Sequence, residues 1–174
     1  SGRQGPVATA LSAFEAYQRN EAWTWEHLAL TRARVVAGES TRLEAIRRDV
    51  LNTPRDRAQV IQDVVDMRAR LADAKGAAAS VWEVKDLGGG ILDLELFAQM
   101  LALLGGSDAR DPRAQFEQAL GDEAAPLIEA HRLLCTVQQA QRLVMDGAFD
   151  PEKLGKDGMD FVLSFTGFGD EEAL

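Results

Sequence analysis

Residues 84–104 of this chain read VKDLGGGILDLELFAQMLALL, and they decide the fold. Three consecutive glycines at 88–90 precede residues 91–104, which form a helical pattern that is apolar nearly all round. A helix of that kind is buried on every side, as expected at the centre of a bundle. The segment therefore predicts an all-α fold in which other helices surround this one.

The remaining segments show the one-sided apolar periodicity of amphipathic helices. Residues 43–51 and 60–71 each carry an apolar stripe at helical spacing. Five sequence signals predict helix starts: Ser12 with Glu15, Thr41 with Glu44, Thr53 with Pro54, Asp111 with Pro112, and Pro126. Gly121 and Gly147 predict helix ends. We expect a helical bundle of about seven to eight helices.

Two parts of the chain depart from this pattern. Residues 81–85, with two valines and a tryptophan, are a candidate for extended structure. After Gly147 the chain becomes glycine-rich, with a helix expected at residues 157–166 and another starting at Asp170. We expect a helical domain at residues 1–147 and a truncated helical extension at 148–174.

Composition restricts the function classes. The 174 residues carry a net charge of −9, which disfavours nucleic acid and anionic membranes as partners. No apolar run approaches the roughly 20 residues of a membrane span. The first residues lack the pattern of a signal peptide, and Cys135 is the single cysteine. We therefore expect a cytoplasmic location.

Residues 22–38, AWTWEHLALTRARVVAG, place aromatic, acidic and basic side chains on one expected helix. Trp23 and Trp25 are expected to be core anchors more often than ligand platforms. Arg32 and Arg34 are two residues apart, so they cannot share a helix face. One of them is a candidate for reaching a phosphate or an acid, while the other is solvated.

Lys85 and the glycines at 88–90 have two interpretations. A glycine loop at a helix start offers backbone N–H groups and a favourable dipole to an anion. Alternatively, the loop is a tight turn that requires positive φ. The spacing matches neither the P-loop nor the dinucleotide fingerprint, which favours the turn when the loop is considered alone.

Two further side-chain pairs resemble metal or acid–base sites. Asp93 and Glu95 point about 200° apart on a helix, so they are expected to bind different neighbours rather than one ion. His131 and Cys135 have an i, i+4 spacing, but two ligands do not make a zinc site. We expect no metal ligands and no catalytic residues in this chain.

Several sequence blocks resemble the glutamine synthetase adenylyltransferase family. They are AWTWEHLALTRARVVAGE at 22–39, IRRDVLNTPRD at 46–56 and VVDMRARL at 64–71. The stretch from Lys85 to Glu95 is similar to the family pattern K-x-x-x-G-G-I-x-D-I-E-F, with Leu94 in place of isoleucine and Leu96 in place of the final phenylalanine. Residues 131–143 and 165–170 match more loosely.

This resemblance implies a place in a larger enzyme. The AWTWEH sequence is similar to that of the C-terminal, adenylylating unit of the family. Residues 1–3 look like the end of the strand that carries the family's catalytic carboxylates. The chain would then be the helical domain beside a nucleotidyltransferase core and inactive alone. The intact enzyme would use ATP and Mg²⁺ to transfer AMP to a tyrosine of glutamine synthetase. Glutamine and the PII signal protein would regulate it.

The resemblance also suggests nucleotide-facing residues. Candidates for facing the triphosphate are Lys85, Arg32, Arg34, Gly89 and Gly90, because phosphoryl-type transfer requires cations and N–H groups near the charge. The alternative is a regulatory module that binds PII, glutamine or glutamine synthetase without touching nucleotide. A further alternative is the related helical domain of PII uridylyltransferase.

Overall fold

The structure, a computed structural model, describes residues 8–75 and 80–169. Within those ranges the chain forms eight α-helices and one short 3-10 helix, and no strand. The predicted all-α fold is therefore confirmed. The helices are α1 (Leu11–Asn20), α2 (Thr24–Thr31), α3 (Thr41–Leu51), α4 (Arg57–Lys75), α5 (Ile91–Gly105), α6 (Pro112–Leu120), α7 (Ala125–Val144) and α8 (Pro151–Thr166), with the 3-10 helix at Gly121–Ala124.

Helix α5 is the centre of the bundle, as its all-round apolar pattern predicts. It contacts α2, α4, α6 and α7. Leu96 and Leu103 pack into a core shared with α2, α3 and α4, whereas Leu94 and Ala98 pack against the fully buried Phe116 of α6. The glycine turn that precedes α5 therefore leads into the central helix of the bundle.

Helix α2 is shorter than the predicted helix at residues 22–38, because Arg47 terminates it. The Arg47 side chain is 4% exposed, and its Nε donates to the carbonyl of Leu30 at 2.9 Å. Its Nη2 donates to the carbonyl of Thr31. Burial lowers the pKa of Arg47 below its usual range. A cation that binds the last carbonyls stabilises a helix end, so Arg34 lies beyond α2 in an irregular segment.

The capping boxes predicted at the starts of α1 and α3 do not form. Helix α1 begins at Leu11 without a side-chain cap, because Glu15 binds Arg19 at 3.1 Å instead of reaching back to the helix start. At α3, the carboxylate of Glu39 accepts from the N–H of Thr41 at 2.7 Å. The expected Thr41–Glu44 box does not form, since Glu44 pairs with an arginine from another part of the chain.

Helix α4 starts three residues later than predicted. Asp56, not Thr53, accepts from the first free N–H groups, with Oδ1 at 2.8 Å from the N–H of Ala58. The prediction for α6 is confirmed, since Asp111 accepts from the N–H of Arg113 at 3.0 Å. A short acid directly before the first helical residue is the preferred cap in both cases.

The prediction of extended structure at 81–85 was wrong, because backbone hydrogen bonds within local turns take the place of pairing with another strand. The N–H of Glu83 donates to Ser80 at 3.1 Å, and the N–H of Leu87 donates to Glu83 at 3.1 Å. Helix α8 starts at Pro151, earlier than the predicted residue 157, and changes direction at Gly155, whose φ is +72°. The expected strand end at residues 1–3 and the helix at Asp170 lie outside the described residues.

Candidate functional site

The glycine turn at residues 84–90 leads directly into α5. Gly89 has a φ of +78°, as predicted for a tight turn. Gly90 differs from that prediction, since its φ is −75°. It is required for a different reason: a Cβ there would lie 2.4 Å from the carbonyl oxygen of Val84. Close backbone approach at Gly90 and positive φ at Gly89 together fix the path of the turn.

Most backbone N–H groups of the turn already have acceptors within the chain. Gly90 donates to the carbonyl of Leu87 at 2.8 Å, and Ile91 donates to that of Val84 at 3.0 Å. Gly89 donates to Asp93 Oδ2 at 2.7 Å. An anion at this helix start would have to compete with these bonds. The nucleotide roles of Gly89 and Gly90 therefore stay predictions.

Asp93 joins three parts of the fold. Besides accepting from Gly89, its carboxylate forms an ion pair with Arg68 of α4. Arg68 Nη2 also donates to the carbonyl of Asp86 in the turn at 3.0 Å. Arg68 was not among the candidates, because α4 carries several arginines on its polar side and nothing in the sequence separates this one. Asp93, a residue of α5, therefore connects α5 to the turn through Gly89 and to α4 through Arg68.

Glu95 faces a different set of partners, as its spacing from Asp93 predicts. Its Oε2 lies 3.6 Å from Arg32 Nη1, and its Oε1 lies 3.9 Å from His131 Nε2. Cys135 Sγ lies 3.7 Å from the same nitrogen. Burial raises the pKa of the Cys135 thiol, with the nearby Glu95 charge as a second cause, which disfavours a reactive thiolate.

Metal-binding chemistry finds no support in the ranges that the structure describes. They contain no group of three or more histidine, cysteine, aspartate or glutamate side chains placed to hold an ion. His27, the other histidine, donates from Nε2 to the carbonyl of Gln18 at 2.9 Å. Burial is the main reason that its pKa is lowered. Both histidines thus have local partners.

The three candidate cations lie in different parts of the structure and have different partners. Lys85 is exposed on the turn, and Arg32 is paired with Glu95 between α2 and α5. Arg34 is exposed and lines a cavity of about 300 Å³ beside Phe14, which neither of the other two lines. Their proposed contact with a triphosphate stays a prediction.

Trp23 and Trp25 were expected in the core, and that expectation was wrong. Their side chains are 68% and 53% exposed. Together with Tyr17 they line a cavity of about 710 Å³ whose apolar part includes Met67 and Leu71 of α4. We call this cavity the aromatic groove. By contrast, Trp82 is half-buried, with its ring 5.3 Å from that of Phe149.

These features define an acidic, all-helical domain with an ordered glycine turn and an exposed aromatic groove. Comparison with known proteins gives the family. The family model described as Glutamate-ammonia ligase adenylyltransferase matches residues 1–49. The chain is 41% identical, over 93% of its length, to the bifunctional glutamine synthetase adenylyltransferase/adenylyl-removing enzyme of Agrobacterium fabrum. It therefore carries a segment of the glutamine synthetase adenylyltransferase family, which confirms the resemblance drawn from the sequence.

Other relatives agree with this assignment. The enzyme of the same name from Mesorhizobium japonicum is 37% identical over 98% of this chain, and that from Rhodopseudomonas palustris (strain TIE-1) is 41% identical over 90%. The chain spans only 18% of the Agrobacterium and Mesorhizobium enzymes and 17% of the Rhodopseudomonas enzyme. No solved structure matches it. None of the described helices combines the length and apolar character that crossing a bilayer requires.

Proposed function

We propose that this chain is the helical domain beside the C-terminal, adenylylating nucleotidyltransferase core of a cytoplasmic glutamine synthetase adenylyltransferase. The observation that carries the proposal is the 41% identity to such an enzyme over 93% of the chain. The intact enzyme transfers AMP from ATP to a tyrosine of glutamine synthetase. Glutamine and the PII signal protein regulate that transfer in the proposal.

In this proposal, the chain contributes to adenylyl transfer a positive charge that the glycine turn holds in place. In the proposal the carboxylates that hold Mg²⁺ belong to the nucleotidyltransferase core, and the described residues contain no group of three or more histidine, cysteine, aspartate or glutamate side chains placed to hold an ion. Lys85 is exposed on a turn whose path is fixed by Gly89 and Gly90, which would hold the ammonium near the triphosphate. A cation at that place stabilises the charge that develops during transfer. Arg34 supplies a second exposed cation, whereas Arg32 would first have to leave Glu95.

The test is adenylyl transfer by the full-length enzyme carrying Lys85→Ala. We expect the rate of label transfer from ATP to glutamine synthetase to fall by about tenfold or more, because a charge contact in the transition state is lost. The melting temperature should hardly change, because an exposed cation contributes little stability. Lys156→Ala is the matched control, since Lys156 is an exposed lysine on α8. The isolated 174-residue chain should transfer no label.

A regulatory module is the second candidate function. It is favoured by the pairing of Arg32 with Glu95 and by the internal hydrogen bonds of the turn, which leave fewer groups for a nucleotide. In that case Lys85→Ala keeps full transfer with ATP but loses the response to glutamine or PII. That result would remove the nucleotide role and assign the domain to regulation or partner binding.

A further inference from the structure

The aromatic groove exposes rings that the fold does not need for its core. Trp23 and Trp25 are more than half exposed, and Tyr17 is 38% exposed. Large aromatic side chains at a surface are enriched where proteins bind each other, since each buries a large area on contact. Met67 and Leu71 provide an apolar wall behind the rings. The groove therefore has the composition of a contact surface.

The same groove carries a net negative charge. Three carboxylates line it, those of Glu26, Asp63 and Asp66, against the single guanidinium of Arg70. In the part of the chain that the structure describes, none of the three acids forms an ion pair. Their described partners are neutral donors, such as the Tyr17 hydroxyl, which donates to Glu26 Oε1 at 2.7 Å.

Hydrogen bonds fix the Tyr17 hydroxyl and the backbone at the start of α2, where Trp23 and Trp25 lie. The N–H of Trp23 donates to Glu26 Oε2 at 2.9 Å, so Glu26 fixes both the start of α2 and the Tyr17 ring of α1. The Thr24 hydroxyl donates to Asp63 of α4, which ties α2 to the opposite wall. A surface that is ordered before binding loses less conformational entropy when a partner binds.

We propose that the aromatic groove docks a basic peptide segment of a partner protein, independently of any nucleotide role of the glycine turn. Arginine or lysine side chains of the partner lie across the rings of Trp23 and Trp25, and their charges pair with Asp63 and Asp66. An apolar residue of the same segment packs on Met67. A second copy of this chain fits less well, because a two-fold contact through the groove would bring like charges together.

The test uses the 174-residue chain with Trp82→Phe, so that Trp23 and Trp25 are its remaining tryptophans. A short peptide of alternating arginine and leucine should change their fluorescence saturably, and the affinity should fall when salt rises from about 0.05 to 0.5 M. A matched peptide with glutamate in place of arginine should not bind. Asp66→Asn should weaken binding of the arginine peptide by about tenfold, and Trp25→Ala by at least as much.

Asp160→Asn is the control, because Asp160 is an exposed acid on α8. Circular dichroism would verify that each variant remains helical. The proposal is overturned if the glutamate peptide binds as tightly as the arginine peptide, or if Asp66→Asn and Trp25→Ala both leave affinity within twofold. It is also overturned if sedimentation shows self-association that Trp25→Ala abolishes, since the occupant would then be a second copy.

Discussion

The glycine turn and the aromatic groove differ in what their polar and aromatic groups contact. In the turn, Asp93 and the backbone N–H groups bind partners within the chain, including Arg68 and Gly89. In the groove, Trp23 and Trp25 present their rings to solvent. Both regions have sequences typical of a functional site. In the structure, several backbone N–H groups of the turn are bound within the fold and Lys85 is its exposed cation, whereas the rings of the groove are exposed to solvent.

This difference separates two kinds of sequence signal. A glycine-rich loop before a helix is required whenever the backbone must turn tightly, so its presence says little about a ligand. By contrast, no feature of the backbone requires a tryptophan to be exposed. The three predictions below test whether the turn is structural and the groove is not, in order of decreasing expected effect on stability.

The largest effect is expected at Gly90. A valine there would place its Cβ against the carbonyl of Val84, which belongs to the backbone and cannot rotate away. We expect Gly90→Val to lower the free energy of unfolding by about 3 kcal/mol, measured by urea denaturation. Gly89→Ala is the paired variant, because its Cβ would meet open space and only the positive φ opposes it, at about 1 kcal/mol.

Equal costs at the two glycines would contradict this account of the turn. They would mean that backbone conformation, rather than close approach to Val84, decides both positions. A larger cost at Gly89 would show that the turn has a different path from the one described.

The second effect distinguishes the two carboxylates of α5. Asp93→Ala removes an ion pair with Arg68 and an acceptor for the N–H of Gly89, and it leaves the partly buried Arg68 without its carboxylate partner. We expect a loss of about 2 kcal/mol in urea denaturation. Glu95→Ala should cost less than about 1 kcal/mol, because its contacts with Arg32 and His131 are long and partly exposed. A cost at Glu95 equal to that at Asp93 would contradict the assignment of Asp93 as the clamp.

The all-α fold and the central position of α5 could be predicted, because apolar periodicity reports burial directly. Residues 43–51 and 60–71 likewise fall on helices with buried Ile46, Val50, Val60 and Val64. Helix ends were less predictable. The end of α2 depends on Arg47, a residue of another helix, and the start of α3 depends on Glu39, whose carboxylate reaches forward to accept from the N–H of Thr41.

The candidate site was predictable in part. The different partners of Asp93 and Glu95 follow from helix geometry, since residues two apart cannot face one another. The exposure of Trp23 and Trp25 could not be derived in the same way. Large aromatic residues are usually buried in a core, and nothing local in AWTWEH shows that α2 would turn its N-terminal residues outward. That outcome depends on how α2 packs between α4 and α5.

The smallest effect is expected at Trp25, and it gives the sharpest contrast with ordinary tryptophans. Trp25→Ala should lower the free energy of unfolding by no more than about 1 kcal/mol, because the residue is 53% exposed. Trp82→Ala should cost about 2 kcal/mol, since that ring is half-buried and contacts Phe149. Urea denaturation of both variants under the same conditions makes the comparison direct. If Trp25→Ala were as costly as Trp82→Ala, the groove would be part of the stabilising core and its rings would not be free for a partner.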